Sequence, residues 1–134
     1  MKLIRGLHNV PKAFRCALSV GNFDGVHLGH RHVIQQLIQQ AKALNVPSAV
    51  MIFEPQPLEF FAFDQARPRL TRFHEKVRAL AETDLDFVIC VRFNAEFSQL
   101  EPSAFVQQVL METLGVQYLV VGHDFRFGAK RLGE

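Results

Sequence analysis

Residues 17–53 read ALSVGNFDGVHLGHRHVIQQLIQQAKALNVPSAVMIF, and this stretch decides the fold. ALSVGNF, residues 17–23, is an apolar run without the alternation of a half-wet strand. It predicts a strand covered on both faces. From about Leu28 to Leu44, Val33, Ile34, Leu37, Ile38, Ala41 and Leu44 recur at spacings of three and four. That stripe is one face of a helix, and Gln35, Gln36, Gln39, Gln40 and Lys42 cover the other. Asn45 and Pro47 end it. SAVMIF, residues 48–53, is a second apolar strand.

The rest of the chain repeats the unit. DFVICV (86–91) and QYLVV (117–121) are two further apolar runs. A helix from Thr71 to about Glu82 is expected to turn Phe73, Val77, Leu80 and Ala81 inward. Another runs from Pro102, a residue suited to a first helical turn, to about Leu114. Phe105, Val106, Val109 and Leu110 are its inward positions, and Gly115 fits the place just past its end. Strands alternating with amphipathic helices predict an α/β protein: a Rossmann-like, doubly wound parallel sheet with helices on both faces. At least four parallel strands are expected, with the 17–23 strand internal. Residues 1–16 are weakly patterned; Leu3, Ile4, Leu7 and Val10 suit a short strand or turn over the edge of the domain.

Composition narrows the function. The chain has 134 residues, one domain's worth, and a formal net charge of +2. No dense basic patch points to nucleic acid, and no apolar run approaches a membrane span. Cys16 and Cys90 lack metal-like spacing and read as buried free thiols of a reducing compartment, so a cytoplasmic location is expected. The chain stops soon after a second glycine-rich loop. It is therefore expected to be a fragment whose fold is incomplete at the C-terminus.

The chemistry gathers in two loops. SVGNFDGVHLGH, Ser19 to His30, puts small residues and backbone N–H groups where a strand gives way to a helix N-terminus, a ready anion site. It is neither the G-x-G-x-x-G fingerprint nor a lysine-bearing phosphate loop. His27 and His30 are separated by about 4.5 Å of helical rise, so both rings can reach one phosphate. Gly29 leaves the helix start bare for close approach. Two rival readings stand beside this one: a zinc site built from the two histidines with Asp24, and plain structural capping. The second loop, GHDFRFGAKRLG, residues 122–133, brings Arg126, Lys130 and Arg131 to a glycine-rich turn, which also reads as a basic surface loop. If the first and fourth of these strands are neighbours, the two loops face each other where strand order reverses. Between them in sequence, Phe60, Phe61 and Phe63 follow the prolines of EPQPLEFFAF. They form either a satellite core or the wall of a site for a flat ligand.

SVGNFDGVHLGH together with VVGHDFRFGAKRLG resembles the adenylyltransferase domain of the prokaryotic bifunctional riboflavin kinase/FAD synthetase family, within the nucleotidyltransferases that carry HxGH. The family's HxGH is His27 to His30, preceded by its G-N-F-D-G at Gly21 to Gly25. Its G-x-D-F-x-F-G is Gly122 to Gly128. Its F-x-P-x-P stretch is Phe53 to Pro57, with Gln56 where a histidine is common. The resemblance spans nearly the whole chain and implies most of an FMN adenylyltransferase domain over 1–134. The implied substrates are the small molecules ATP and FMN, with Mg²⁺ accompanying the phosphates and FAD as product. It implies catalytic roles for His27, His30 and Asn22. Gly21, Phe23, Asp24, Gly29, Phe60, Phe61, Gly122, Asp124, Phe125 and Arg126 would bind nucleotide or flavin, and no all-protein metal site is implied. The family's later Ser/Thr-rich motif ending in Arg, and its C-terminal riboflavin kinase β-barrel, would lie beyond residue 134. The piece alone is then expected to show little activity. Another HxGH adenylyl- or cytidylyltransferase, or a nucleotide-binding module without catalysis, shares the first loop and stands as the alternative.

Overall fold

A computed structural model describes residues 1–21, 23, 28–54, 73–92, 94, 97 and 99–121, with the backbone alone for 28–30. The elements in chain order are β1 (Lys2–Arg5), a 3₁₀ turn (Leu7–Asn9), β2 (Cys16–Val20), α1 (Leu28–Leu44), β3 (Ser48–Glu54), α2 (Phe73–Ala81), β4 (Phe87–Arg92), α3 and β5 (Val116–Val121). Helix α3 begins as Pro102–Ala104 and continues in π-helical form over Phe105–Thr113. The five strands form one sheet in the order β1-β4-β3-β2-β5, and every pairing is parallel. The doubly wound architecture read from the sequence is the one observed, and the 17–23 strand, now β2, is internal between β3 and β5.

Burial explains why the apolar runs do not alternate. All five residues of β2 are buried, as are the first six of β3, because the sheet is covered on both sides. Cys16, Leu18, Val20, Ala49, Met51, Phe53, Ile89 and Val91 face one layer, where α3 contributes Phe105, Val109, Leu110 and Leu114. Ala17, Val50, Ile52, Val88 and Cys90 face the other, where α1 contributes Ile34, Leu37 and Ala41, and α2 contributes Leu80. Two layers of helix around a parallel sheet are the physical content of the sequence pattern.

Several expectations shift. The N-terminal segment supplies a fifth parallel strand, β1, in register with β4 from Lys2↔Phe87 to Arg5↔Cys90. Only Leu3 and Ile4 of β1 are partly buried, so it carries little apolar signal. The first strand ends at Val20, three residues early, and Phe23 beyond it has left-handed backbone at φ 52°. Helix α1 keeps its predicted limits, and Asn45 closes it in the left-handed conformation at φ 58°. Leu44, however, is exposed rather than inward. In α2, Ala81 is exposed and Val77 only half-buried, while Lys76 is fully buried; a lysine stem packs as an aliphatic chain. Thr71, the expected start of that helix, lies outside the described residues.

The largest local correction is in α3. The Leu114 N–H donates to the Val109 carbonyl at 3.0 Å and the Thr113 hydroxyl to the Gln108 carbonyl at 2.9 Å, both five residues back. Gln107 and Glu112, also five apart, are bonded through their side chains at 3.3 Å. The wider turn rotates the buried face onto Phe105, Val109, Leu110 and Leu114, and Val106 swings out to 41 % exposure. Val106→Ser is therefore expected to change stability by less than about 0.5 kcal/mol. Leu110→Ala should cost roughly 2–5 kcal/mol. Urea unfolding of the two variants checks the register; comparable losses would restore an ordinary α-helix with Val106 inside.

Both cysteines are free and buried. Burial pushes the Cys16 thiol up from the usual value near 9 to about 12. The folded state therefore binds the proton more tightly than the unfolded state. That contribution to stability is whole below pH 9 and disappears as pH climbs toward 12. Unfolding measured across that window should show a decline that Cys16→Ala flattens.

Candidate active site

The site begins with topology. From β2 the chain moves outward in one direction through β3 to β4. It then crosses back by α3 to lay β5 on the other side of β2. Strand order thus reverses between β2 and β5, and in such sheets ligands bind outside the carboxyl ends of the strands at that reversal. The register pairs Val20 with Val121, the last residues of the two strands. The histidine-bearing stretch follows Val20 directly, and the G-H-D-F-R-F-G stretch follows Val121. The condition set by the sequence, that these two strands be neighbours, is met.

Helix α1 starts at Leu28, so Gly29 and His30 lie in its first turn and His27 immediately precedes it. That turn contains no acidic residue, and the N-terminal end of a helix carries partial positive charge. Arg31, its last member, meets Glu82 at 3.8 Å on the exposed surface.

Two predicted binding residues, Gly21 and Phe23, lie at the root of the loop. Gly21 donates its N–H to the Met51 carbonyl at 3.2 Å. That donor continues the β2–β3 pairing. What position 21 provides is the absence of a Cβ, which would sit 3.1 Å from Cε2 of the Phe23 ring. The Phe23 side chain is 6 % exposed and packs with the α1 layer of the core. Asn22, Asp24, His27, Phe60, Phe61, Gly122, Asp124, Phe125 and Arg126 lie outside the described residues, as does the side chain of His30.

The structure also assembles a group that sequence reading did not single out. Arg5, Gly6, His8, Glu54, Phe73, His74, Cys90 and Arg92 line a cavity of about 510 Å³, with Arg5 stacked on the Phe73 ring at 4.8 Å. It lies at the carboxyl ends of β1, β4 and β3, with β3 between it and β2. Within it, burial and the Glu54 carboxylate raise the Cys90 thiol, against the opposing charges of Arg5 and Lys76. Its members come from four separated segments, so no local motif marks it. Among the described residues, no three His, Cys, Asp or Glu side chains converge to hold a metal ion, and no helix is long and apolar enough to cross a membrane.

Against this geometry, residues 10–134 match the family model described as FAD synthetase. The chain belongs to the FAD synthetase family. Its whole length is 52 % identical, over 136 residues, to the bifunctional riboflavin kinase/FMN adenylyltransferase of Escherichia coli (strain K12), of which it covers 44 %. The proteins of the same name from Haemophilus influenzae and Pseudomonas fluorescens are 46 % and 45 % identical, again over the whole of this chain. The family chain described here thus spans less than half the length of these curated relatives. Among solved structures, one described as a macrolide-efflux protein from Streptococcus pneumoniae superposes with a TM-score of 0.78 over 96 % of this chain and 43 % of its own. At 21 % identity it shows a shared fold and nothing finer.

Proposed function

We propose that this FAD synthetase chain is the FMN adenylyltransferase module of a bifunctional protein, and that its reaction centre lies over the carboxyl ends of β2 and β5. The observation that carries the reading is the pairing of Val20 with Val121 beside the start of α1. It sets the ends of the two family motifs side by side at the strand-order reversal. Membership of the family supports ATP and FMN as the small-molecule substrates and FAD as the product.

In this reading a phosphate oxygen of FMN attacks the α-phosphorus of ATP in line. The new P–O bond forms as the bond from the α-phosphorus to the oxygen bridging to the β-phosphorus breaks, and pyrophosphate leaves with that electron pair. No covalent enzyme intermediate is needed, so the protein's contribution is position and charge. His27 and His30 donate to the phosphates, where negative charge shifts toward the leaving group, and the positive end of α1 adds to them. The Asn22 amide is a further donor on the same loop. Arg126, with Gly122 and Phe125 on the second loop, binds the nucleotide. Phe60 or Phe61 flanks the isoalloxazine. Mg²⁺ neutralises phosphate charge when bound. It would be held by the phosphates, with Asp24 and Asp124 as the available loop carboxylates.

We also place a riboflavin kinase domain after residue 134 in the full-length protein, where it would supply FMN to this module. The test of the proposed function is direct. Purified full-length protein given FMN, ATP and Mg²⁺ should release FAD and pyrophosphate one for one. ATP consumption without FAD would overturn the reading.

A further inference from the structure

We infer that Phe23 is a positioning residue, not a ligand-binding one: its buried ring sets the N-terminus of α1, and with it His30, against the carboxyl end of β2. The inference rests on the adenylyltransferase reading above. Three observations carry it. The backbone of Phe23 is left-handed, φ 52°, a conformation unfavourable for an aromatic residue that persists only where the surroundings hold it. The side chain is 6 % exposed, in the same cluster as Ile34, Leu37 and Ala41 of α1 and Ala17 of β2. The ring also closes back on Gly21, whose N–H is tied to Met51 of β3. The chain leaving β2 is therefore pinned twice, at Gly21 to the sheet and at Phe23 to the layer between sheet and helix. Only four residues separate Phe23 from Leu28, where α1 begins. A buried ring cannot also face a nucleotide, so its effect on the reaction must pass through the helix start it holds.

Phe23→Leu removes the ring from Gly21 while keeping an apolar side chain. In the full-length protein it is expected to lower kcat for FAD formation about tenfold, since small misplacements of catalytic groups have effects of this order or larger. The KM for ATP should stay within about threefold, as expected when an interaction specific to the transition state is lost. Made in a His30→Ala background, the same change should lower kcat by less than about twofold, because residues acting through one another are not additive. Unchanged kcat, or the same loss in both backgrounds, would overturn the inference. If Phe23→Leu does not fold, Phe23→Met, closer in volume, is measured in the same way with the same criteria. Amide exchange gives a readout independent of activity. The first hydrogen-bonded amides of α1, His32 to Ile34, should exchange more than tenfold faster in the variant, while those at the C-terminal end of the helix hold. Uniform exchange along α1 would overturn the inference even if the unmutated protein formed no FAD, an outcome that would sink the adenylyltransferase reading alone.

Discussion

Replacing His27 or His30 by Ala in the full-length protein is expected to lower kcat for FAD formation by roughly 10²-fold or more, the range seen when a donor aimed at developing charge is removed. Helix α1 begins at Leu28, which puts the two histidines on either side of the helix start. Negative charge moves toward pyrophosphate as the α-phosphorus is attacked, so donors there act more strongly on the transition state than on bound ATP. Asn at either position should restore part of the rate, since an amide also donates. Phosphorylation of riboflavin, proposed to belong to another domain, should be almost unchanged, which separates a local loss from general unfolding. The measurement is both activities on each variant, with ATP binding determined separately. A fall in ATP affinity with kcat intact would make the histidines uniform binding groups. No change in either quantity would remove them from the site.

Gly115→Ala should produce the largest loss of stability of any single methyl added at the described glycines. Gly115 joins α3 to β5 at φ 54°, and a Cβ there would fall on the carbonyl oxygen of Phe14. Both the backbone conformation and the contact oppose a side chain, and the obstructing atom belongs to a main chain that cannot swing aside. A loss of about 3 kcal/mol or more is expected, read as a lowered urea midpoint. Gly6→Ala is the comparison. Gly6 also has positive φ, 87°, but its Cβ would meet the ring of the exposed His8 at 2.6 Å. That ring can rotate away, so the loss should stay near 1 kcal/mol. Equal effects at the two glycines would show that the α3–β5 junction tolerates movement. Because β5 carries the second motif to the switch point, Gly115→Ala should depress FAD formation as well.

Much of this fold was legible because the deciding signals are local and redundant. The α1 stripe, with Asn45 and Pro47 behind it, marked both helix ends, and apolar runs located four strands to within three residues. The misses have physical causes. β1 offers only Leu3 and Ile4 to the core, too few to stand out from a turn. In α3, apolar residues at 105, 106, 109 and 110 fit a period of 3.6 as well as a wider one; packing of Leu110 and Leu114 beneath the sheet selects the wider. The site was legible as two motifs, whereas their adjacency is a property of strand order, which no motif states. Phe23 reads as one more loop residue until its inverted backbone and buried ring are seen. The Arg5–Arg92 cavity gathers residues from four segments and had no local signal at all.

The central claim is that the triphosphate lies at the β2–β5 reversal, over the first turn of α1. A crystal structure of the full-length protein with a non-hydrolysable ATP analogue tests it most directly. The account predicts phosphates beside His30, between the strand ends at Val20 and Val121. A nucleotide lodged instead in the cavity of Arg5, His74 and Arg92, with the start of α1 bare, would contradict it.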